Sequence, residues 1–328
     1  MKELANISVY PFDLEPFGSW ERALEFHLSL GLDGLEVLTA FDGTMEVPKD
    51  VVTAVHLPFC MDWMSLWNGG ELEGSFSPEE EVYFRGGSSR DDLVSNLRRY
   101  LFDASSLDPA YGVFHLTNTS VGEVLGGVKA NGSRSVLLSA AEMVNEAVSV
   151  FPQGEPPVRI FFENLWWEGL TFLDLDLLDL FASSLNFSNW AFLLDTGHLL
   201  NTTTTCRDED DAMDYLASVL GGLPKEIRSR IEGVHLSLSL SGEMREAHDW
   251  LDHDPEEDFM VRLDRAWRRM SKIDQHRPFS TSACRRLLDL LEPDYLTHEF
   301  ICDDIEDRRS KILTQRRALN GLGRQELE

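Results

Sequence analysis

Short apolar runs recur along the chain, separated by stretches in which apolar positions repeat every three or four residues. The first pattern is that of strands buried on both faces; the second is that of helices with one apolar side. The runs lie at 6–10 (NISVY), 34–38 (GLEVL), 52–57 (VTAVHL), 111–116 (YGVFHL), 157–163 (PVRIFFE), 190–195 (WAFLLD), 231–236 (IEGVHL) and 295–301 (YLTHEFI). Helical spacing covers 19–30, 90–102, 134–150, 208–220, 281–291 and 304–318, while 39–51 is too short for a full helix. Eight strands alternating with helices predict an α/β fold, a closed (β/α)8 TIM barrel. No Pro/Ser-rich linker and no short repeat divides the chain, so one domain is expected over 1–328.

Two connections are long. One follows the third strand, at about 58–88, and the other follows the seventh, at about 237–278. Long connections in compact domains are commonly lids or binding loops, and those after barrel strands lie at the face where barrel active sites form. Trp63, Trp67, Trp166, Trp167 and Trp250 all follow strands or sit on these two loops. They either pack the loops onto the barrel or form an aromatic wall for a sugar ring or planar ligand, with Trp63 and Trp166 taken as substrate-binding candidates.

Hydrophobic residues make up 43% of the 328, enough for a sizeable core. The balance of 29 Lys+Arg against 57 Asp+Glu, a formal charge of −28, disfavours nucleic-acid or anionic-membrane partners, because such binding runs on cations displacing counterions. A small-molecule substrate is expected instead, and a homo-oligomer is open. Cys60, Cys206, Cys284 and Cys302 show no CxxC spacing, so neither a disulfide framework nor a zinc ribbon is indicated. The N-terminal MKELANISVYPF lacks the apolar core of a signal peptide and no run is long enough to span a membrane, which places the expectation in the cytoplasm.

The strand ends carry the chemistry. They read VHLP (His56), VFHL (His115), FFEN (Glu163), LLDTGH (Asp195, His198), VHLS (His235) and THEF (Glu299), and Glu36 lies near the end of the second strand. Any one histidine in an apolar strand ordinarily packs and hydrogen-bonds. A carboxylate after RIFF or AFLL needs a partner, because an unpaired buried charge is very costly. Packing alone does not explain six strands ending in His, Asp or Glu. Imidazole with carboxylate is a ligand set for zinc, manganese or iron. His298, one residue before Glu299, faces the helices by strand alternation. IDQHRPF (Asp274, His276, Arg277) reads as a solvated loop with a satisfied Asp–His pair, or as support for a neighbouring ligand or an anionic group of the substrate.

FFENLWWEG, LLDTGHLLN, GVHLS and THEF in the second half, with VHLP and VFHL in the first, resemble the xylose-isomerase-like TIM barrels. That superfamily includes sugar isomerases and epimerases, inosose dehydratases and type-IV AP endonucleases; LDTGH is the most specific motif. The isomerase branch implies one divalent metal on Glu163, Asp195, His235 and Glu299. There Glu163 and Glu299 also form the acid/base pair, His198 touches substrate, and Glu36 is a further substrate-binding candidate. The endonuclease branch implies two or three metals, with His56, His115 and His198 added and an acid-x-His pair after the seventh strand. REAH (Glu246, His248) is assigned to that pair, although the branch has Asp where Glu246 stands. The leading expectation is a metal-dependent isomerase or epimerase acting on a sugar, sugar phosphate or polyol. The alternatives are a multi-metal hydrolase of small phosphodiesters and a non-catalytic ligand-binding barrel.

Overall fold

A computed structural model describes residues 1–39, 47–70, 76–246 and 257–321. Eight parallel strands close into a barrel: β1 Lys2–Ser8, β2 Gly34–Leu38, β3 Val52–His56, β4 Gly112–His115, β5 Ile160–Glu163, β6 Trp190–Asp195, β7 Ile231–Leu236 and β8 Tyr295–His298. Each strand pairs with its sequence neighbour, and β1 closes against β8 in the register Lys2↔Tyr295 to Ala5↔His298. The first strand begins four residues earlier than the apolar run 6–10 indicated. Pairing with β8 draws in Lys2 and Glu3, whereas Tyr10 already caps a one-turn helix at Pro11–Leu14.

Strand alternation sorts the side chains. Leu4, Ala54, Tyr111, Val113, Phe161, Ala191 and Leu193 fill the barrel, with the Tyr111 and Phe161 rings stacked at 4.2 Å. Phe162 points outward onto Phe181 and Trp190 of the surrounding layer. Glu163, two residues beyond Phe161, faces inward again above the packed interior.

The helices at Trp20–Ser29, Arg90–Ser105, Ser133–Val148, Glu209–Gly222, Arg285–Leu291 and Ile305–Asn320 match the periodic stretches, and Leu175–Ser184 adds one that those stretches did not include. The long connections are partly helical. Met64–Trp67 and Pro78–Arg85 lie after β3, and a fifteen-residue helix, Phe259–Ile273, lies after β7. That last helix starts at Asp258, whose side chain accepts from Met260 N, and buries Leu263, Ala266, Met270 and Ile273 at spacings of three and four. Its neighbouring acidic run hid this pattern in the sequence. No described helix is long and apolar enough to cross a membrane.

Candidate metal centre

Strand register brings the polar ends together. His115 of β4 pairs with Glu163 of β5, and Asp195 of β6 with His235 of β7, so neighbouring strands deliver these side chains at matching heights. Nine side chains form three groups with candidate ligand atoms within 4.8 Å of one another: His56, His115 and Glu163; Glu163, Asp195, His235 and Glu299; and His198, Asp274 and His276. Glu163 belongs to two of them.

In the first group, His56 Nε2 and His115 Nε2 lie 3.3 and 3.0 Å from Glu163 Oε2. The two nitrogens are 3.0 Å from each other. In the second, His235 Nδ1 stands 2.8 Å from Glu299 Oε2 and 3.3 Å from Glu163 Oε1. Behind it, Glu36 Oε1 lies 2.8 Å from His235 Nε2, and Glu36 Oε2 accepts from Tyr111 Oη at 2.7 Å and Thr297 Oγ1 at 3.1 Å. Glu36 lines the cavity with its carboxylate held by Tyr111 and Thr297, and its charge beside Nε2 favours the protonated His235 ring.

The LDTGH motif supplies Asp195 to the second group and His198 to the third. Asp195 ends β6 and caps the helix Thr196–Leu200, its Oδ1 accepting from His198 N at 2.6 Å. Thr196 Oγ1 bonds the backbone of Ser237, accepting from its N–H and donating to its C=O. Gly197 permits the close packing, since a Cβ there would meet Ser237 Oγ at 2.5 Å. His198 Nδ1 donates to Asn164 O at 2.8 Å, which leaves Nε2, 3.2 Å from Asp274 Oδ2, facing the cavity. His276 Nε2 lies 2.7 Å from the same Asp274 oxygen.

Among the described residues, the acid-x-His pair that reaches the cluster is Asp274 and His276; of the pair assigned from REAH only Glu246 can be placed. Glu246 is half-exposed at 54% beside Arg207 and does not line the cavity, and His248 falls outside the described residues. IDQHRPF is correspondingly not a solvated loop: Asp274 follows the last turn of the Phe259–Ile273 helix, which lays it over the barrel mouth. The sequence held the signal, Asp-x-His after the seventh strand, at a greater distance than expected.

The cavity above these groups is about 300 Å³ and includes Phe59, Trp166, Trp167 and Trp267 in its wall. Trp166 lies 4.3 Å from Trp167 and 5.2 Å from the His198 ring. A two-stranded antiparallel pair, Thr117–Asn118 with Glu168–Gly169, holds this Trp pair in place. Gly169 has φ +137°, and a Cβ there would come within 2.2 Å of Leu116 O, so the pairing depends on glycine. Trp63 has a different place. It is buried under the loop, donates from Nε1 to Thr117 O at 2.7 Å and does not line this cavity. Trp250 lies outside the described residues. Trp267, not singled out from the sequence, takes the wall position.

The electrostatics require a counter-charge. Glu163 Oε1 and Oε2, Asp195 Oδ2, both ring nitrogens of His235 and Glu299 Oε2 are buried at ion-pair distances from one another but make no well-directed hydrogen bond. No described lining residue is Lys or Arg. Burial, together with the charges of Glu299 and Glu163, pushes the Asp195 carboxyl well up. Burial alone would also raise Glu163, but the imidazoles of His115 and His235 hold it well below the usual carboxylate range. Against the same opposing burial, Glu36, Glu299 and Glu163 raise His235 well above an ordinary histidine, and Asp274 raises His276 to about 10. Such carboxylates draw cations, either protons on the imidazoles or metal ions that displace them. Oxygen and imidazole donors without thiolate suit zinc, manganese or iron. The residues fit a divalent-metal centre.

No protein-family model matches the chain, and a search of curated proteins finds no match. Solved structures do match. Endonuclease IV from Thermus thermophilus superposes with a TM-score of 0.53 at 14% identity, over 98% of this chain and 99% of that one. A D-tagatose 3-epimerase-like protein gives 0.50 at 16% identity over 98% of each chain. An L-ribulose 3-epimerase gives 0.50 at 12% identity, over 96% of this chain and 94% of the other. These likenesses are of fold, the closed (β/α)8 barrel described above.

Proposed function

We propose that the protein is a multi-metal hydrolase of small phosphoesters. One observation carries the reading: Asp274 and His276 add a third ligand group to the two that share Glu163. Epimerisation by an acid/base pair needs the Glu163, Asp195, His235 and Glu299 group alone. It assigns no task to the converging His56, His115, Asp274 and His276.

In this reading the three groups each hold a divalent cation, which supplies an activated water and neutralises phosphoryl oxygens. The side chains divide the remaining work. Glu163 bridges two groups and fixes their spacing, with oxygens within 3.4 Å of His56, His115, His198 and His235. Glu36 sets its charge 2.8 Å behind His235, and Asn164 O holds the His198 tautomer. Trp166, Trp167 and Trp267 narrow access by water. With no Lys or Arg among the described lining residues, an anionic substrate would be drawn to this cavity by bound metal and by protonated imidazoles. The formal charge of −28 favours a small molecule over DNA, which needs a basic groove.

The test is elemental analysis of purified protein with hydrolysis of bis(4-nitrophenyl) phosphate. Three ions per chain are expected, with turnover abolished by chelation. Asp274→Asn should retain two ions and lose about 100-fold or more in turnover. A single ion per chain, with Asp274→Asn as active as the parent, overturns the proposal and returns the epimerase reading.

A further inference from the structure

The helix that delivers Asp274 to the metal centre also walls a second cavity. Phe259, Leu263, Trp267, Met270 and Asp274 follow one another at spacings of three and four, hence along one stripe of Phe259–Ile273 and its C-cap. Met270 and Asp274 line the metal cavity, Phe259 and Leu263 line a neighbouring cavity of about 540 Å³, and Trp267 lines both. The two cavities also share Leu38, Phe59, Cys60, Met61 and Ile301.

The neighbouring cavity is built of rings. Phe12, Phe59, Tyr83, Phe84, Phe259 and Trp267 all face it. Phe12 is 76% exposed, and Tyr83 and Trp267 are each nearly half-exposed. Single exposed aromatics are ordinary, but several converging on one concavity beside a catalytic centre form a ligand surface. Its described charged residues are Asp62 and Arg85, and Arg85 is taken up by Glu81 at 3.1 Å and by the face of Phe76. Asp62 accepts from Ser65 Oγ at 3.1 Å, so the surface offers stacking and burial with no free cation among its described residues for an anionic group.

Resting on the phosphoester reading, we infer that the substrate carries a planar, uncharged aromatic group that occupies this second cavity while its phosphoryl group sits at the carboxylate–imidazole cluster. The stripe through Trp267 sets the distance between the two ends. The cavity decides which esters are taken; the cluster decides what is done to them.

The test uses N-phenyl-1-naphthylamine, an uncharged dye that brightens on entering apolar sites, with 1-naphthyl-, decyl- and methylphosphonate as competitors. The dye is expected to bind one per chain, to be displaced by naphthylphosphonate and not by methylphosphonate. Trp267→Ala and Tyr83→Ser, both at partly exposed positions that a folded chain tolerates, should together weaken dye binding at least about tenfold. Absence of dye binding, displacement by methylphosphonate as effective as by naphthylphosphonate, or unchanged affinity in the variants overturns the inference. Tighter competition by decylphosphonate than by naphthylphosphonate overturns its aromatic assignment. The metal reading is separated by repeating the competition after chelation. If naphthylphosphonate affinity is then unchanged, the phosphoester reading fails while the apolar cavity stands.

Discussion

At the level of single residues, burial assigns roles that residue type leaves open. Nine histidines punctuate the chain, and five of them meet in the cluster. His298 sits back to back with this site. Its Nδ1 accepts from Gln315 Nε2 at 2.9 Å and its ring faces the helix layer, as strand alternation required. His27 is buried in the helix Trp20–Ser29 with Nδ1 donating to Ala23 O at 2.7 Å. Burial, aided by the Arg308 charge, pushes its imidazole down to about 3. With the folded value below the ordinary one, the neutral ring supports the fold above about pH 6.5, and that support is lost as pH falls toward 3. His27→Leu should therefore gain stability relative to the parent between pH 7 and 5, the difference growing by up to about 1.4 kcal/mol per unit. Urea titrations of both proteins across that range measure it, and a pH-independent difference would contradict the assignment. The strand-end ligands themselves were readable, because parallel closure forces the last inward residue of each strand to one mouth. Trp63 and Trp267 were not, since a tryptophan on a loop carries no mark of which way the loop folds.

At the level of elements, the final helix, Ile305–Asn320, acts as a strut. Fully buried Gln315 donates from Nε2 to Leu236 O at 2.8 Å and to His298 Nδ1, while its Oε1 accepts from Phe279 N at 2.9 Å. One side chain thereby joins β7, β8 and the segment leading to the last strand. Replacing it with the similarly sized Leu leaves three buried polar groups unmatched. Gln315→Leu is expected to cost about 3 kcal/mol in chemical denaturation; a loss below about 1 kcal/mol would show that the surroundings relax around it. The six periodic helices were legible from apolar spacing. Phe259–Ile273 was not, because FMVRLDRAWRRMSKI, although amphipathic, follows the acidic HDWLDHDPEED within one long connection. The same helix determines where Asp274 ends, so the unread element and the unread Asp274–His276 pair have one cause.

At the level of the whole molecule, a charge of −28 on 328 residues means that compaction works against self-repulsion. Screening falls from about 30 Å at 0.01 M salt to about 8 Å at 0.15 M. Raising sodium chloride over that interval should increase the melting temperature by at least about 2 °C, read by scanning calorimetry on metal-loaded protein. No change, or a decrease, would mean that the acidic surface is balanced locally by its own ion pairs.

The sequence by itself determined the barrel and most of the cluster. Strand period, helix period and the identity of the residue at each strand end are local properties, and barrel closure converts them into a common site without further information. Tertiary structure alone decided that Asp274 and His276 join that site, which tryptophans line its cavity, and that a second apolar cavity adjoins it. Those outcomes depend on how a long connection packs across the barrel mouth, which is set by contacts between residues far apart in the chain rather than by any pattern along it.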